Sequence, residues 1–118
     1  MITTKKKLEK KTHKKIILCL GRFHKNKGID ILLKAMTYIS EFELWVVGSG
    51  EEKVFYDKII SEYKLEEKVK FYQWTDDISK FLNVSSILVC PSRHEPFGNV
   101  IVEAWAHKVP VIVSDTGG

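Results

Sequence analysis

The chain is 118 residues long, 44% hydrophobic and 29% charged, with a formal net charge of +4; this size and composition are typical of a single water-soluble domain. No apolar run approaches the ~20 residues that a membrane-spanning helix needs, and no apolar stretch follows the Lys-rich start as it would in a signal peptide. Cys19 and Cys90 lie in apolar runs, without a Cys-x-x-Cys or Cys/His cluster. We therefore expect buried, reduced thiols and no metal site.

Residues 1–15 form a basic segment with seven lysines, no aromatic residue and no apolar period. This pattern is typical of a solvated linker or tail. Contact of the segment with anionic lipid or nucleic acid stays open as an alternative.

From residue 16 onward, strand patterns alternate with helix patterns. The predicted strands are residues 16–20, 43–47, 69–73, 87–90 and 109–113. The third run is less uniformly apolar, which suits the edge of a sheet. Four helices are predicted between the strands. The first starts near Lys27, and the third starts at Asp76 or Asp77, either of which can act as its cap. The residues predicted to face the core are, helix by helix, Ile29, Leu32, Leu33, Met36 and Ile39; Tyr56, Ile59, Ile60 and Tyr63; Ile78, Phe81 and Leu82; and Val100, Ile101, Ala104 and Trp105.

This alternation predicts a Rossmann-like three-layer α/β/α fold with a parallel sheet. Crossovers between parallel strands are nearly always right-handed, and the expected strand order is 3-2-1-4-5. The first and fourth strands then flank the switch point, where open α/β sheets bind ligands. Residues 21–28 follow the first strand and residues 92–103 follow the fourth, so both segments border one crevice.

The second of these segments combines several features that suit a ligand. Glu95 and Glu103 are separated by seven residues that include a Pro-Phe-Gly-Asn turn and a new helix. A helix N-terminus favours anionic groups, Gly98 lets a ligand approach the backbone, and Glu103 can accept hydrogen bonds from a polyol. Paired carboxylates also suggest glycoside hydrolysis, but a hydrolase does not need the Arg22 and Lys27 cations of the other segment.

Four segments together resemble, in the same order, the donor-binding half of the retaining glycosyltransferases of family 4, which have the GT-B fold. They are Leu20–Gly28, Val47–Glu51, Glu95–Glu103 and Pro110–Gly118, and the resemblance spans residues 16–118. It implies that the chain binds a nucleoside diphosphate sugar and transfers a hexosyl unit, with retention, to a glycan or lipid-linked acceptor. It also implies that no cofactor or metal ion takes part.

The resemblance also implies roles for individual residues. Gly21, Arg22 and Lys27 would hold the diphosphate, whose growing negative charge needs fixed cations. Glu103 would bind the ribose hydroxyls, and Glu95 would act as the catalytic residue beside the transferred sugar. The backbone amides of Phe97, Gly98, Asn99 and Val100 would bind donor hydroxyls or phosphate; the alternative is that these residues are a plain helix start. Gln73 and Trp74 would contact the base; the alternative for Trp74 is a packed core residue.

Two further sets of residues have open interpretations. Gly48 and Gly50 either leave room for the nucleotide or only end a strand. His24, His94 and His107 have no partner at a recognisable spacing, so we expect structural or solvated roles for them.

The resemblance sets the expected extent of the protein. Residues 1–15 would be a basic tail, and residues 16–118 a donor domain incomplete at its C-terminus, from a truncated form or a split gene product. We expect the chain alone to be inactive without an N-terminal acceptor domain. A non-catalytic nucleotide-binding subunit is the alternative function; an RNA-binding domain is disfavoured because the carboxylates repel phosphates. The expected location is the cytoplasm, with peripheral contact at the inner membrane face left open.

Overall fold

The computed structural model describes residues 14–21, 23, 28–90 and 98–113. Over these ranges it contains a five-stranded parallel sheet in the order 3-2-1-4-5, which confirms the predicted fold class and topology. The strands are β1 Lys15–Leu20, β2 Phe42–Val47, β3 Val69–Tyr72, β4 Ile87–Cys90 and β5 Val111–Val113. The helices are α1 Ile29–Ala35, continued by a 3₁₀ turn at Met36–Tyr38, then α2 Lys53–Glu62, α3 Ser79–Leu82 and α4 Gly98–Ala106.

Two apolar layers enclose the sheet. Alternate residues of β1 point to opposite faces, so Ile17 and Cys19 pack with α1 and α2, while Ile16, Leu18 and Leu20 pack with α3 and α4. This burial on both faces explains the continuous apolar run of β1. The edge strand β3 is less buried, as its mixed sequence predicts.

Among the element boundaries that differ from the predicted ones are the end of one strand, which comes earlier, and the starts of two helices, which come later. β3 ends at Tyr72, so Gln73 lies outside it. α1 begins only at Ile29, because Gly28 has a left-handed backbone with φ of 83°. The predicted cap of α3 is wrong: the helix begins at Ser79, and the Asp77 N–H instead donates to Thr75 Oγ1 at 3.1 Å.

Two aromatic residues predicted to face the core are exposed. Tyr63 follows the end of α2 as its C-cap, where the side chain no longer shares the buried stripe. Trp105 is 66% exposed, whereas its neighbour Ala104 is fully buried. The side chains of Val100 and Ile101 lie outside the described part of the chain. None of the helices in the described ranges is long and apolar enough to cross a membrane.

Both cysteines are buried and unpaired, as predicted. They lie on adjacent strands, but Cys19 pairs with Val89, so Cys90 points to the opposite face of the sheet. Burial raises the pKa of both thiols, that of Cys90 to about 11, and Cys90 adds to the rise at Cys19.

We expect both thiols to resist alkylation while the protein is folded. A pKa of about 11 instead of 9.0 lowers the thiolate fraction of Cys90 at pH 8 about 100-fold, and burial blocks access to both sulfurs. Iodoacetamide labelling at pH 8, followed by mass spectrometry, should modify neither cysteine within the time that labels both in urea. Rapid labelling of Cys90 in the folded chain would contradict this expectation.

Candidate functional site

The carboxyl ends of the first three strands are joined by backbone hydrogen bonds. The Gly21 N–H donates to Val47 O at 3.2 Å, and the Gly48 N–H donates to Tyr72 O at 2.9 Å. These bonds extend the sheet pairing by one residue beyond β1 and β2. The loops that follow these strands therefore start from fixed positions.

The segment after β1 is also held by the loop after β2. The Phe23 N–H donates to Ser49 O at 2.9 Å, and Phe23 O accepts from the Glu52 N–H at 3.1 Å. The buried Phe23 ring makes edge-to-face contacts with Tyr56 at 5.3 Å and with Phe71 at 5.7 Å between centroids. Phe23 thus anchors the described part of the segment after β1 to the loop after β2.

Gly48 and Gly50 are needed for this close approach of two backbones. A Cβ at Gly48 would overlap Gly21 O and lie 3.0 Å from Phe23 Cε1. A Cβ at Gly50, where φ is +152°, would lie 2.7 Å from Phe23 O. The structure therefore adds a reason that the sequence did not suggest: these glycines let the loop clamp the segment after β1.

Gly21 has a different environment. An added Cβ there would meet, among the described residues, only Ile29 Cδ1 at 4.0 Å, which is ordinary contact. Packing against these neighbours does not require a glycine at this position. A glycine that packing does not demand leaves room for a ligand to approach the backbone, which is compatible with the predicted role of Gly21 in holding the diphosphate.

The Tyr56 ring that supports Phe23 lies in an acidic environment. Burial raises the pKa of Tyr56 well above its usual value, and the carboxylates of Asp30 and Glu52 raise it further. Tyr56 therefore stays neutral throughout the physiological range. The contact shown for Tyr56 at this site is the edge-to-face packing of its ring against Phe23.

On the other side of the switch point, α4 begins at Gly98, so Gly98, Asn99 and Val100 form its first turn. Amides in the first turn of a helix have no carbonyl partner within the helix. These amides are donors at the carboxyl end of β4, whether for a ligand or for water. The structure does not describe Arg22, residues 24–27 or residues 91–97. The predicted roles of the residues in these gaps stay predictions; they are Arg22, His24, Lys27, His94, Glu95 and Phe97.

Glu103 lies in the second turn of α4 and is half-buried. Its Oε2 accepts a hydrogen bond from Ser79 Oγ at 3.1 Å. Ser79 is the first residue of α3, the helix that follows the loop after β3. The contact therefore joins the helices that follow the edge strand and β4.

His107 has a structural role, as predicted. Its Nδ1 lies 2.8 Å from Glu103 O. Because a carbonyl oxygen can only accept, Nδ1 carries the proton and donates. This bond closes the last turn of α4 and steadies the backbone at Glu103.

Gln73 and Trp74 both lie in the exposed loop after β3. Trp74 is 45% exposed, so its interpretation as a packed core residue is wrong. An exposed indole at the carboxyl end of the sheet is available to a planar ligand, and the contact with the base stays a prediction.

Two residues of this region were not singled out in the sequence. The signal for Phe23 is an aromatic residue directly after Gly-Arg in a polar loop, which is unusual enough to indicate an anchor. Ser79 carries no such signal, because its partner Glu103 is 24 residues away along the chain.

Comparison with known proteins places these features in one family. The family model described as glycosyl transferases group 1 matches residues 1–118. Over 112 residues, the chain is 34% identical to LpsE of Rhizobium meliloti, a lipopolysaccharide core biosynthesis glycosyltransferase, and the match covers 95% of the chain and 33% of LpsE.

Solved structures agree with this match. Sucrose-phosphate synthase of Thermosynechococcus elongatus superimposes with a TM-score of 0.76 at 34% identity, over 90% of the chain and 29% of that protein. Anabaena HepE, solved in complex with UDP and glucose, superimposes with a TM-score of 0.75 at 27% identity, over 88% of the chain and 30% of HepE. The chain thus spans about a third of the length of each of these three proteins.

Proposed function

The chain belongs to the glycosyl transferases group 1 family, and from this premise we propose that it is the donor-binding part of a retaining enzyme of family 4. The proposed reaction moves a hexosyl unit from a nucleoside diphosphate sugar to a glycan or lipid-linked acceptor. The acceptor class follows the name of LpsE, which refers to lipopolysaccharide core biosynthesis. The likeness to HepE, solved with UDP and glucose, supports the class of donor.

One observation carries the proposal. The clamped segment after β1 and the start of α4 after β4 border the switch point of the sheet, because β1 and β4 are neighbours with crossovers in opposite directions. Ligands of open α/β sheets bind at this point. The candidate diphosphate ligands follow β1, and the candidate sugar and ribose ligands follow β4 or lie on α4.

The proposed roles of the side chains are those that the resemblance implies, and the charge that develops in the reaction supports the roles of the two cations. As the glycosidic bond breaks, negative charge grows on the diphosphate; Arg22 and Lys27 would stabilise it, together with the first amides of α4. Glu103 would hold the ribose, and Glu95 would contact the transferred sugar. The protein's own cations would balance the charge, so we propose that the reaction needs no metal ion.

The acceptor would bind outside this chain. The relatives are about three times longer than the part that the chain matches, so we propose that acceptor recognition belongs to another domain. The chain by itself should then bind the nucleotide without catalysing transfer.

Titration calorimetry with UDP, GDP and ADP tests the proposal on the 118-residue chain. We expect at least one diphosphate to bind, and Arg22→Ala with Lys27→Ala to weaken its binding about 100-fold or more, because two charge-assisted contacts are lost.

The matched control is Lys34→Ala with Lys58→Ala, which removes one exposed lysine from α1 and one from α2. This control has the same net charge as the test variant but should bind nearly as tightly as the parent chain. Equal losses in both double variants would mean that only the overall charge matters. Failure of all three diphosphates to bind a folded sample would refute the proposed function.

A further inference from the structure

The hydrogen bond between Ser79 and Glu103 is a contact that the proposed function does not by itself require. Ser79 Oγ donates to Glu103 Oε2 at 3.1 Å, and both side chains are half-buried. Within the described residues, no partner is recorded for the second oxygen, Oε1. Among the described residues, Ser79 therefore holds the carboxylate through one oxygen and leaves the other available.

A fixed carboxylate suits a ligand with two neighbouring hydroxyls. Two hydroxyls of a ribose can donate to one carboxylate only if its plane faces them, and a Glu side chain that rotates freely loses entropy when it adopts this orientation. A hydrogen bond formed before the ligand arrives removes part of that cost.

Packing holds α3 in place without the Ser79 hydroxyl. Ile78, Phe81 and Leu82 are all buried in the layer that also contains Ala104 of α4. Loss of a single half-buried hydroxyl at the start of this helix should leave that packing intact. The contribution of the hydroxyl should therefore be seen at Glu103 rather than in the folding of the domain.

We infer that Ser79 is a positioning residue that orients the Glu103 carboxylate toward the ribose hydroxyls of the nucleotide. This inference rests on the proposed function. It links the loop containing Gln73 and Trp74, which leads into α3, to the Glu103 carboxylate on α4. It predicts that Ser79 affects recognition of the two ribose hydroxyls, and therefore affects a ribose nucleotide more than its 2′-deoxy form.

The test compares the affinities of ribose and 2′-deoxyribose diphosphates, using UDP with 2′-deoxy-UDP, and the equivalent guanosine and adenosine pairs. The parent chain should prefer the ribose form about tenfold or more, because a hydrogen bond to a charged group is lost in the deoxy form. Ser79→Ala should weaken binding of the ribose form about three- to tenfold and weaken the deoxy form less, because only the 3′-hydroxyl of the deoxy form is left to bind Glu103. Ser79→Thr, which keeps the hydroxyl, should restore the preference.

Ser85→Ala is the matched control. Ser85 Oγ donates to Phe81 O at 2.7 Å, so this change also removes a half-buried serine hydrogen bond, at the other end of α3. It should alter neither affinity. In a Glu103→Gln background, where the ribose preference is already reduced, Ser79→Ala should have no additional effect, because the two changes act through one carboxylate.

The outcomes separate the inference from the function on which it rests. If the parent chain prefers ribose and Ser79→Ala keeps that preference, or weakens both forms equally, the positioning role is refuted and the proposed function survives. If no diphosphate binds the folded parent chain, both are refuted. Thermal unfolding of each variant verifies that the samples compared are folded.

Discussion

Gly48→Ala is expected to destabilise the domain by about 3 kcal/mol and to abolish binding of nucleoside diphosphates. The added Cβ would overlap Gly21 O and lie 3.1 Å from Gly21 C, so the obstacle is backbone rather than a side chain that can rotate away. Relief requires that the segment after β1 move away from the loop after β2. Urea unfolding measures the loss of stability, and calorimetry measures the loss of binding.

Gly21→Ala is the matched control for this expectation. It adds the same methyl group to the residue whose carbonyl Gly48 contacts, at a position where the described neighbours leave room. The free energy of unfolding should change by less than about 1 kcal/mol, while diphosphate affinity falls because the methyl group faces the proposed ligand. Equal stabilities of the two variants would show that the loops are not clamped as the structure indicates.

Glu43→Ala is expected to lower the free energy of unfolding by about 2–3 kcal/mol. Glu43 is only 3% exposed. Its Oε1 accepts from Trp45 Nε1 at 2.7 Å and lies 3.0 Å from Lys70 Nζ. Alanine would leave the buried indole N–H without this acceptor and remove the partner of the lysine.

The bond to Trp45 should account for most of this loss. Trp45 is buried, whereas the Lys70 side chain is half-exposed and can return to water when its partner is removed. Glu43→Gln, which keeps an oxygen acceptor for the indole, should therefore cost about 1 kcal/mol or less. A Glu43→Gln variant as unstable as Glu43→Ala would mean that the ion pair dominates instead.

Gly48→Ala and Glu43→Ala should also differ in their effect on diphosphate binding. Glu43 stands near the start of β2, at the amino end of the sheet, whereas Gly48 follows the end of the same strand. The folded fraction of Glu43→Ala should therefore keep the diphosphate affinity of the parent chain. Calorimetry at a temperature where both variants are folded distinguishes a loss of the site from a loss of stability.

Several features of the fold and the site could be predicted because they depend on neighbours in the sequence. Continuous apolar runs and periodic helix faces record burial directly, and the alternation of strands with helices leaves few possible strand orders once crossovers are right-handed. The mixed run at residues 69–73 identified an edge strand for the same reason. The position of the crevice followed from the strand order alone.

Features that depend on contacts between distant segments could not be predicted. The reason for Gly48 is the carbonyl of Gly21, and the partner of Ser79 is Glu103; in both cases the contacting groups are brought together only by strand pairing and helix packing. The exposure of Trp105 depends on which face of α4 meets the sheet, and local apolarity does not decide this.

The residues alone therefore determined the class of fold, the strand order and the two segments that border the crevice, because hydrophobic periodicity and chain chirality are local properties. Only the tertiary structure decided which backbones touch, which carboxylate is held and which indoles are exposed. These depend on distances across the sheet, and residue spacing along the chain does not specify such distances.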